Sequence, residues 1–345
     1  MMFQLAFKIS WCSVILSGLV GVYMACRGFG IWALVFQQLV SAVVSCCMYW
    51  FLVKWHPVLK FSWVKLKGLF AFGWKMLLSA LLEKIFSNLS SFVIGKFFSL
   101  EMLGFYNRGK SVPELGMEIF NTSLYTVLLP YYSKMQQDIS QLRQKCQAIL
   151  RTVIFITAPL VVLMIVFAEP FVEIVFSKKW LPCVPYLQLS ALAYLLMPAQ
   201  IVNLQLICAC GRSDIFLLLE IIKKVQMLAM LGLTIRYGII AMVWGLVILS
   251  FISFIENSWF NTKLINYPPW RQLFDMLPEI FISFLIGFVV YHGARFVDNN
   301  WLKLILGGLL FFFIYVVVMF VLKRIPQSIA VVFCNSFKIG ISPER

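Results

Sequence analysis

Ten apolar runs, each near the length of a membrane-crossing helix, follow one another along the chain with only short polar links between them. They cover about residues 9–26, 31–53, 69–94, 113–132, 152–167, 186–210, 215–235, 239–260, 277–296 and 302–322. A helix needs about 20 mostly apolar residues to cross a bilayer. Within the runs the apolar residues are continuous, not alternating, which predicts helices and not a membrane β-barrel. In lipid every backbone polar group must be satisfied within its own segment, and helices do this. The expected fold is an all-α polytopic membrane helical bundle, transporter-like, with about ten transmembrane helices. The fifth run is short, and the "AEPFVEIVF" that follows either extends it or forms an interfacial segment. The first run is too long for the core of a signal peptide, and no small-residue cleavage site follows, so it is expected to be a true span.

Polar positions inside the runs are rare and therefore informative. In the third run Glu83 and Ser87 lie at i, i+4, with Ser79 and Ser90 continuing the row. Lys84, Asn88 and Ser91 form a second row beside it. Two adjacent rows give one wet face and leave an apolar face for lipid. The serines fit helix–helix packing, whereas Glu83 and Lys84 fit a polar cavity. In the fourth run Ser111 and Glu114 match a capping box, with Pro113 just inside the predicted helix start. Glu118, Asn121 and Tyr125 continue from Glu114 at i+4, i+7 and i+11. In the seventh run Ser213 or Asp214 is the expected cap after a turn at Gly211. Glu220 then lies about 9 Å and Lys223 about 13 Å into the helix. Glu220, Lys223 and Lys224 share one face. They read either as a Glu–Lys pair with lysines snorkelling to the headgroups, or as a cationic face at a cavity mouth that attracts a phosphate.

Composition narrows the class. The chain is 62% hydrophobic and 12% charged, far from the balance of a soluble domain. The net charge of +15 falls in short links, a pattern of membrane topology and anionic headgroups; no nucleic-acid signature accompanies it, and no nucleic-acid partner is expected. Lysine and arginine are concentrated on the N-terminal side: at Lys8, in the link with Lys54, Lys60, Lys65 and Lys67, in the link from Lys134 to Arg151, and in the tail. The bias places both termini in the cytoplasm. The nine cysteines are scattered without a C-x-x-C pair and only two histidines occur, so no metal site is expected. Glycine-rich phosphate loops and Ser/His/Asp sets are missing, and no large loop could house an enzyme or a nucleotide-sugar site. No enzymatic activity and no cofactor are expected, and energy would come from an ion gradient, the membrane potential or the substrate gradient.

Three blocks resemble a known family. "IGKFFSLEMLGFYNRGKS" (94–111), "LLPYYSKMQQD" (128–138) and "KKWLPCVPYLQLSALAYLLMPAQIVNLQLICACGRSDIFLLLEIIKK" (178–224) are similar, in order, to segments of bacterial polysaccharide exporters. These are the lipid-linked oligosaccharide flippases of the multidrug/oligosaccharidyl-lipid/polysaccharide superfamily, and the nearest branch is the lipopolysaccharide or colanic-acid type. The resemblance covers about residues 69–261. It implies two six-helix lobes plus two extra helices, alternating access, and a bacterial inner-membrane location. The implied cargo is an oligosaccharide on an undecaprenyl pyrophosphate carrier. Membrane lipids and other polysaccharide-assembly proteins are the implied partners.

Aligned by these blocks, the chain starts near the family's fifth helix and is expected to lack the first four. The expected organisation is a two-helix remnant of the N-terminal lobe (1–53), a basic link (54–67), a six-helix C-terminal lobe (68–260), a second link (261–276), two extra helices (277–322) and a tail (323–345). On this reading Lys84, Lys223 and Lys224 neutralise pyrophosphate or acidic sugars, Asn88 and Asn121 bond sugar hydroxyls, and Glu83, Glu118 or Glu220 couples to an ion. The alternatives are a cation-coupled multidrug antiporter of the same superfamily, which would favour an acidic cavity, and an inactive truncated fragment.

Overall fold

The structure, a computed structural model, describes residues 3–52, 63, 85–294, 297 and 299–326. Among them every regular element is helical. The chain divides between Ser79 and Ala80 into two compact units.

The first unit is a hairpin of α1 (Phe3–Cys26) and α2 (Trp32–Leu52), packed against each other. Gly28 and Gly30 make the turn with φ of 83° and 54°, a region that costs glycine nothing.

The second unit begins with α3, described over 85–97, and continues with α4 (Leu100–Ser133), α5 (Ile139–Val166) and the short α6 (Ala168–Phe176). A 3-10 turn at Lys178–Cys183 leads into α7 (Val184–Tyr194) and α8 (Met197–Ala209). Then come α9 (Ser213–Thr234), α10 (Ile239–Ile265), α11 (Pro269–Ala294) and α12 (Asn300–Val321). Among the described residues seven segments are long and apolar enough to cross a membrane: α1, α2, α5, the stretch from Lys178 through α8, α10, α11 and α12. The α4 and α9 helices have the length but carry more charge, and the third expected run lies largely outside the described residues.

The apolar runs misplace helix ends in two instructive ways. The fourth helix does not start at a capping box around Ser111. It starts at Leu100, where the Ser99 hydroxyl accepts from the Met102 N–H at 3.2 Å. Ser111 is interior and donates to the Arg108 carbonyl. Tyr106, Gly109, Pro113 and Met117 form one buried stripe at i, i+3, i+7 and i+11, and this packing holds the helix through Pro113. Likewise the link from Lys134 to Arg151 is mostly helix: α5 starts at Ile139, capped by Asp138, and runs straight into the apolar run.

Burial follows narrow stripes. On α12, Gly307, Phe311, Tyr315 and Met319 face inward at intervals of four, while Leu309, Phe313 and Phe320 are exposed, as lipid-facing positions should be. Close approaches occur where side chains vanish. A Cβ on Gly109 would stand 2.7 Å from the Cys183 carbonyl oxygen and 2.8 Å from the Leu187 nitrogen, so α4 touches the α7 backbone directly.

One end of the bundle is tied by polar groups. Asn203 of α8 donates to Gln272 (2.8 Å) and Ser258 (3.1 Å), and accepts from Asn261 at 2.6 Å. Beside this knot Asp275 accepts from Gln147 at 2.8 Å, from the Tyr267 hydroxyl at 2.6 Å and from Arg151, joining α5 to α11.

Gly109→Ala should destabilise the detergent-solubilised chain by about 1–3 kcal/mol in thermal unfolding, because neighbouring backbone cannot yield to a methyl group. Gly104→Ala, with nothing within 4 Å of its Cβ position, should not. Asp138 gives a pH test. The Gln141 N–H, and then the Ser140 hydroxyl, hold its carboxyl below the ordinary value. Its support of α5 is complete above the ordinary carboxylate range and is lost as pH falls through the lowered folded value. Asp138→Ala should weaken the chain at neutral pH and remove this part of the acid dependence of unfolding.

Candidate functional site

The run at 186–210 reads as one span but folds as two helices. Pro198 has no N–H to give to the previous turn, and its fixed φ suits the first turn of a new helix. The chain therefore turns at Leu195 and Leu196, and α8 starts at Met197 with the proline in its first turn. A break inside lipid frees backbone carbonyls that have no water to bond. Ser250 of α10 meets that need: its hydroxyl donates to the Ala193 carbonyl at 2.6 Å. Gln200 of α8 in turn donates to the Ser250 carbonyl at 2.9 Å. The broken helix thus gathers uncharged polar groups around it.

These groups face a cavity of about 290 Å³ between α3, α4, α7, α8, α9 and α10. Its walls include Ser87, Gln200 and Ser250, and three lysines: Lys110 from α4, Lys223 and Lys224 from α9. Lys110 stands about 15 Å from the start of α4, and Lys223 about 15 Å from the start of α9. Both lysines therefore stand well inside their helices, away from the helix starts. Each lysine is positioned by a neighbour. Lys223 pairs with Glu220 one turn back. Lys110 lies 3.7 Å from Glu114 and donates to the Ser87 carbonyl at 3.3 Å. The Lys224 ammonium lies 5.7 Å from the centre of the Phe86 ring. Among the described residues no carboxylate lines it. In a site with apolar walls and little water, such a set attracts an anion.

Of the residues singled out in the sequence, Lys223 and Lys224 meet in this cavity, and Glu220 sits behind Lys223. Glu83 and Lys84 lie outside the described residues. Asn88 is exposed on α3, donates to the Ser87 hydroxyl at 3.4 Å and is not among the lining residues. Glu118 is exposed on α4, and Asn121 is buried on the same helix, both apart from the cavity. The expected cap at Ser213 or Asp214 is corrected: Arg212 holds the N-cap position of α9 without a side-chain cap. Asp214 instead accepts from the Arg212 guanidinium at 3.0 and 2.8 Å, which brings its carboxyl down to about 2. Lys110, Gln200 and Ser250 were not anticipated. A helix start at Pro113 leaves Lys110 ahead of the helix, although Tyr106, Gly109 and Pro113 carry helical spacing. Pro198 inside a long apolar run was the available signal for the break.

Residues 1–185 match the family described as "Polysaccharide biosynthesis protein". The chain belongs to this family. Among relatives, it is 23% identical to the teichuronic acid biosynthesis protein TuaB of Bacillus subtilis (strain 168), over 75% of this chain and 54% of TuaB. It is 24% identical to the succinoglycan biosynthesis transport protein ExoT of Rhizobium meliloti (strain 1021), over 91% of this chain and 65% of ExoT. It is 25% identical to the lipopolysaccharide biosynthesis protein WzxC of Escherichia coli (strain K12), over 83% and 59% respectively. The chain therefore spans between half and two thirds of the length of these relatives. A solved structure, "Lipid II flippase MurJ, inward closed conformation", superposes with a TM-score of 0.72 at 17% identity, covering 91% of this chain and 66% of that one. This family member is a multi-pass membrane protein whose described residues form only helices, with the fold seen in the MurJ structure.

Ser250→Ala would strip the Ala193 carbonyl of its donor at the broken helix. Thermal unfolding in detergent should show a loss of about 1–3 kcal/mol, and Ser250→Thr, which keeps the hydroxyl, should lose less.

Proposed function

We propose that this protein takes part in moving a lipid-linked oligosaccharide or polysaccharide repeat unit across the bacterial inner membrane, for lipopolysaccharide, capsule or exopolysaccharide assembly, by alternating access. One observation carries the reading: a cavity inside the second unit that holds Lys110, Lys223 and Lys224, with no carboxylate among its described lining residues, built where a long apolar helix breaks. Broken helices at mid-depth are a recurring way to expose backbone and side-chain polar groups to a polar cargo. A pyrophosphate head, such as that of an undecaprenyl-pyrophosphate-linked oligosaccharide, offers charges for the lysines and leaves the sugar hydroxyls for Ser87, Gln200 and Ser250. The names of ExoT and WzxC support a polysaccharide cargo, and the lysines disfavour the alternative of a cation-coupled multidrug antiporter. This is transport, not catalysis.

In this reading Glu220 competes with the cargo phosphate for Lys223, so the empty site keeps its charge half-neutralised. Within the second unit, α3 to α10 form one lobe in this reading and the α11–α12 pair flanks it. The basic links and both termini face the cytoplasm, as the lysine and arginine distribution favours.

The test is binding of undecaprenyl pyrophosphate to the purified chain in nanodiscs. Each lysine near a membrane phosphate is worth about a five-fold change in affinity. Lys223→Glu with Lys224→Glu should weaken binding by roughly 25-fold or more, while Lys223→Arg with Lys224→Arg should keep most of it. Equal binding by the reversed variant would end the phosphate role of α9.

A further inference from the structure

A second and larger cavity, about 970 Å³, lies between α4, α5, α11 and the turn that follows α12. It is separate from the lysine cavity and shares no lining residue with it. Its lining is two-faced. Leu124 and Ile156 belong to apolar walls, while Lys145, Arg151, Lys323 and Arg324 bring four cations from two distant parts of the sequence. Among the described residues one lining residue is acidic, Glu279, which is 2% exposed and pairs with Arg324 at 3.5 Å. Arg151 is held by Asp275. Allowing for both pairs, a cationic surplus remains on Lys145 and Lys323, two exposed residues.

Position and size narrow the ligand. The cations stand where α5 passes from its polar first turns into its apolar run, and just beyond the last residue of α12. That is the level of headgroup phosphates. The volume is at the upper end of what a drug-sized ligand fills, roughly 300–1,000 Å³. A free phosphate would leave most of it empty and would not cover the apolar walls. An amphiphile with an anionic head satisfies both faces.

We propose that this cavity is a binding site for an anionic glycerophospholipid, whose phosphate sits among Lys145, Arg151, Lys323 and Arg324 and whose first acyl carbons lie along α4 and α5. A lipid in this place ties the end of α12 to α5. Besides its buried stripe, α12 is held by Asn300, which donates to Glu173 at 2.8 Å, and by the Arg324–Glu279 pair just past its end; the lipid adds a further link from that turn to α5. The site does not use the lysine cavity and stands or falls apart from the proposed cargo.

The full chain, purified and delipidated in mild detergent, is titrated with phosphatidylglycerol, with phosphatidylcholine of the same acyl chains, and with inorganic phosphate. Native mass spectrometry counts retained lipid and thermal unfolding reads stabilisation. Phosphatidylglycerol should bind and stabilise, and the other two should do so far less. Lys145→Gln with Lys323→Gln, at two exposed positions, should weaken phosphatidylglycerol binding about 25-fold, five-fold for each lysine. Lys223→Glu with Lys224→Glu should leave it unchanged, which separates this site from the cargo cavity. Equal binding of phosphatidylcholine, or unaltered binding by the double glutamine variant, overturns the proposal. Equal stabilisation by inorganic phosphate at the same concentration overturns the lipid assignment in favour of a free-anion site.

Discussion

A backbone carbonyl in lipid has no water to turn to, and the architecture around the α7–α8 break follows from that one constraint. Pro198 cannot donate to the preceding turn, so the helix must end and restart. The freed groups must then be met by other side chains, because an unmet one costs several kcal/mol in hydrocarbon. Ser250 and Gln200 are therefore placed where a purely apolar bundle would have leucine. Polar side chains cannot pack as leucines do, and space remains between them. The cavity is thus the by-product of satisfying a broken helix. Once polar groups line it, lysines from α4 and α9 can end there without the full penalty of burial in hydrocarbon.

What could be read from the sequence depended on how far each feature stood out from its surroundings. Lys223 and Lys224 were legible because two charges in an apolar run demand a reason, and helical spacing put them on one face. The membrane class, the helical fold and spans such as α10 and α12 were legible because continuous apolar runs of that length have few other solutions. Lys110 was hidden by a local rule that lost to packing: Ser111, Pro113 and Glu114 look like a helix start, but the buried stripe from Tyr106 to Met117 holds the helix through the proline. Gln200 and Ser250 were hidden because uncharged polar residues inside a span most often serve as packing glue. Only the tertiary neighbour, a carbonyl at Ala193, gives Ser250 its meaning. The helix ends at Leu100 and Ile139 were missed because apolarity marks the lipid-buried length, not the helical length.

The same residue types serve opposite ends in this bundle. Around Asn203, Gln272, Ser258 and Asn261 the amides and hydroxyls bond to one another, and the Asp275 carboxylate is met by Gln147, Tyr267 and Arg151. Buried networks of this kind fix one geometry. Along α10 the character changes within a few turns. Ser250 and Ser253 face the cavity, while Ser258 and Asn261 belong to the knot. Between them Asn257 is fully buried, with neither amide atom bonded among the described residues. It marks the border between the part of the helix that is pinned and the part that lines open space.

That border bears on how the unit can move. Displacing a packed element costs least where the fewest buried polar bonds must break. At the knotted end any shift of α5, α8, α10 or α11 would expose several amides and a carboxylate at once. At the α7–α8 break the helical ladder is already interrupted, and the links across it are the few made by Ser250 and Gln200. A change between two arrangements, as alternating access requires, therefore finds its softest joint at Leu195 and Leu196, beside the lysines. On the proposed function, cargo charge and helix geometry would meet at that joint: a phosphate that draws Lys223 from Glu220 would act on α9 across the cavity from the α7–α8 break. An equilibrium of this kind shifts only by the difference in affinity between its two states. The lysine cavity is the part of the second unit where an anionic head would contact both of the elements able to change.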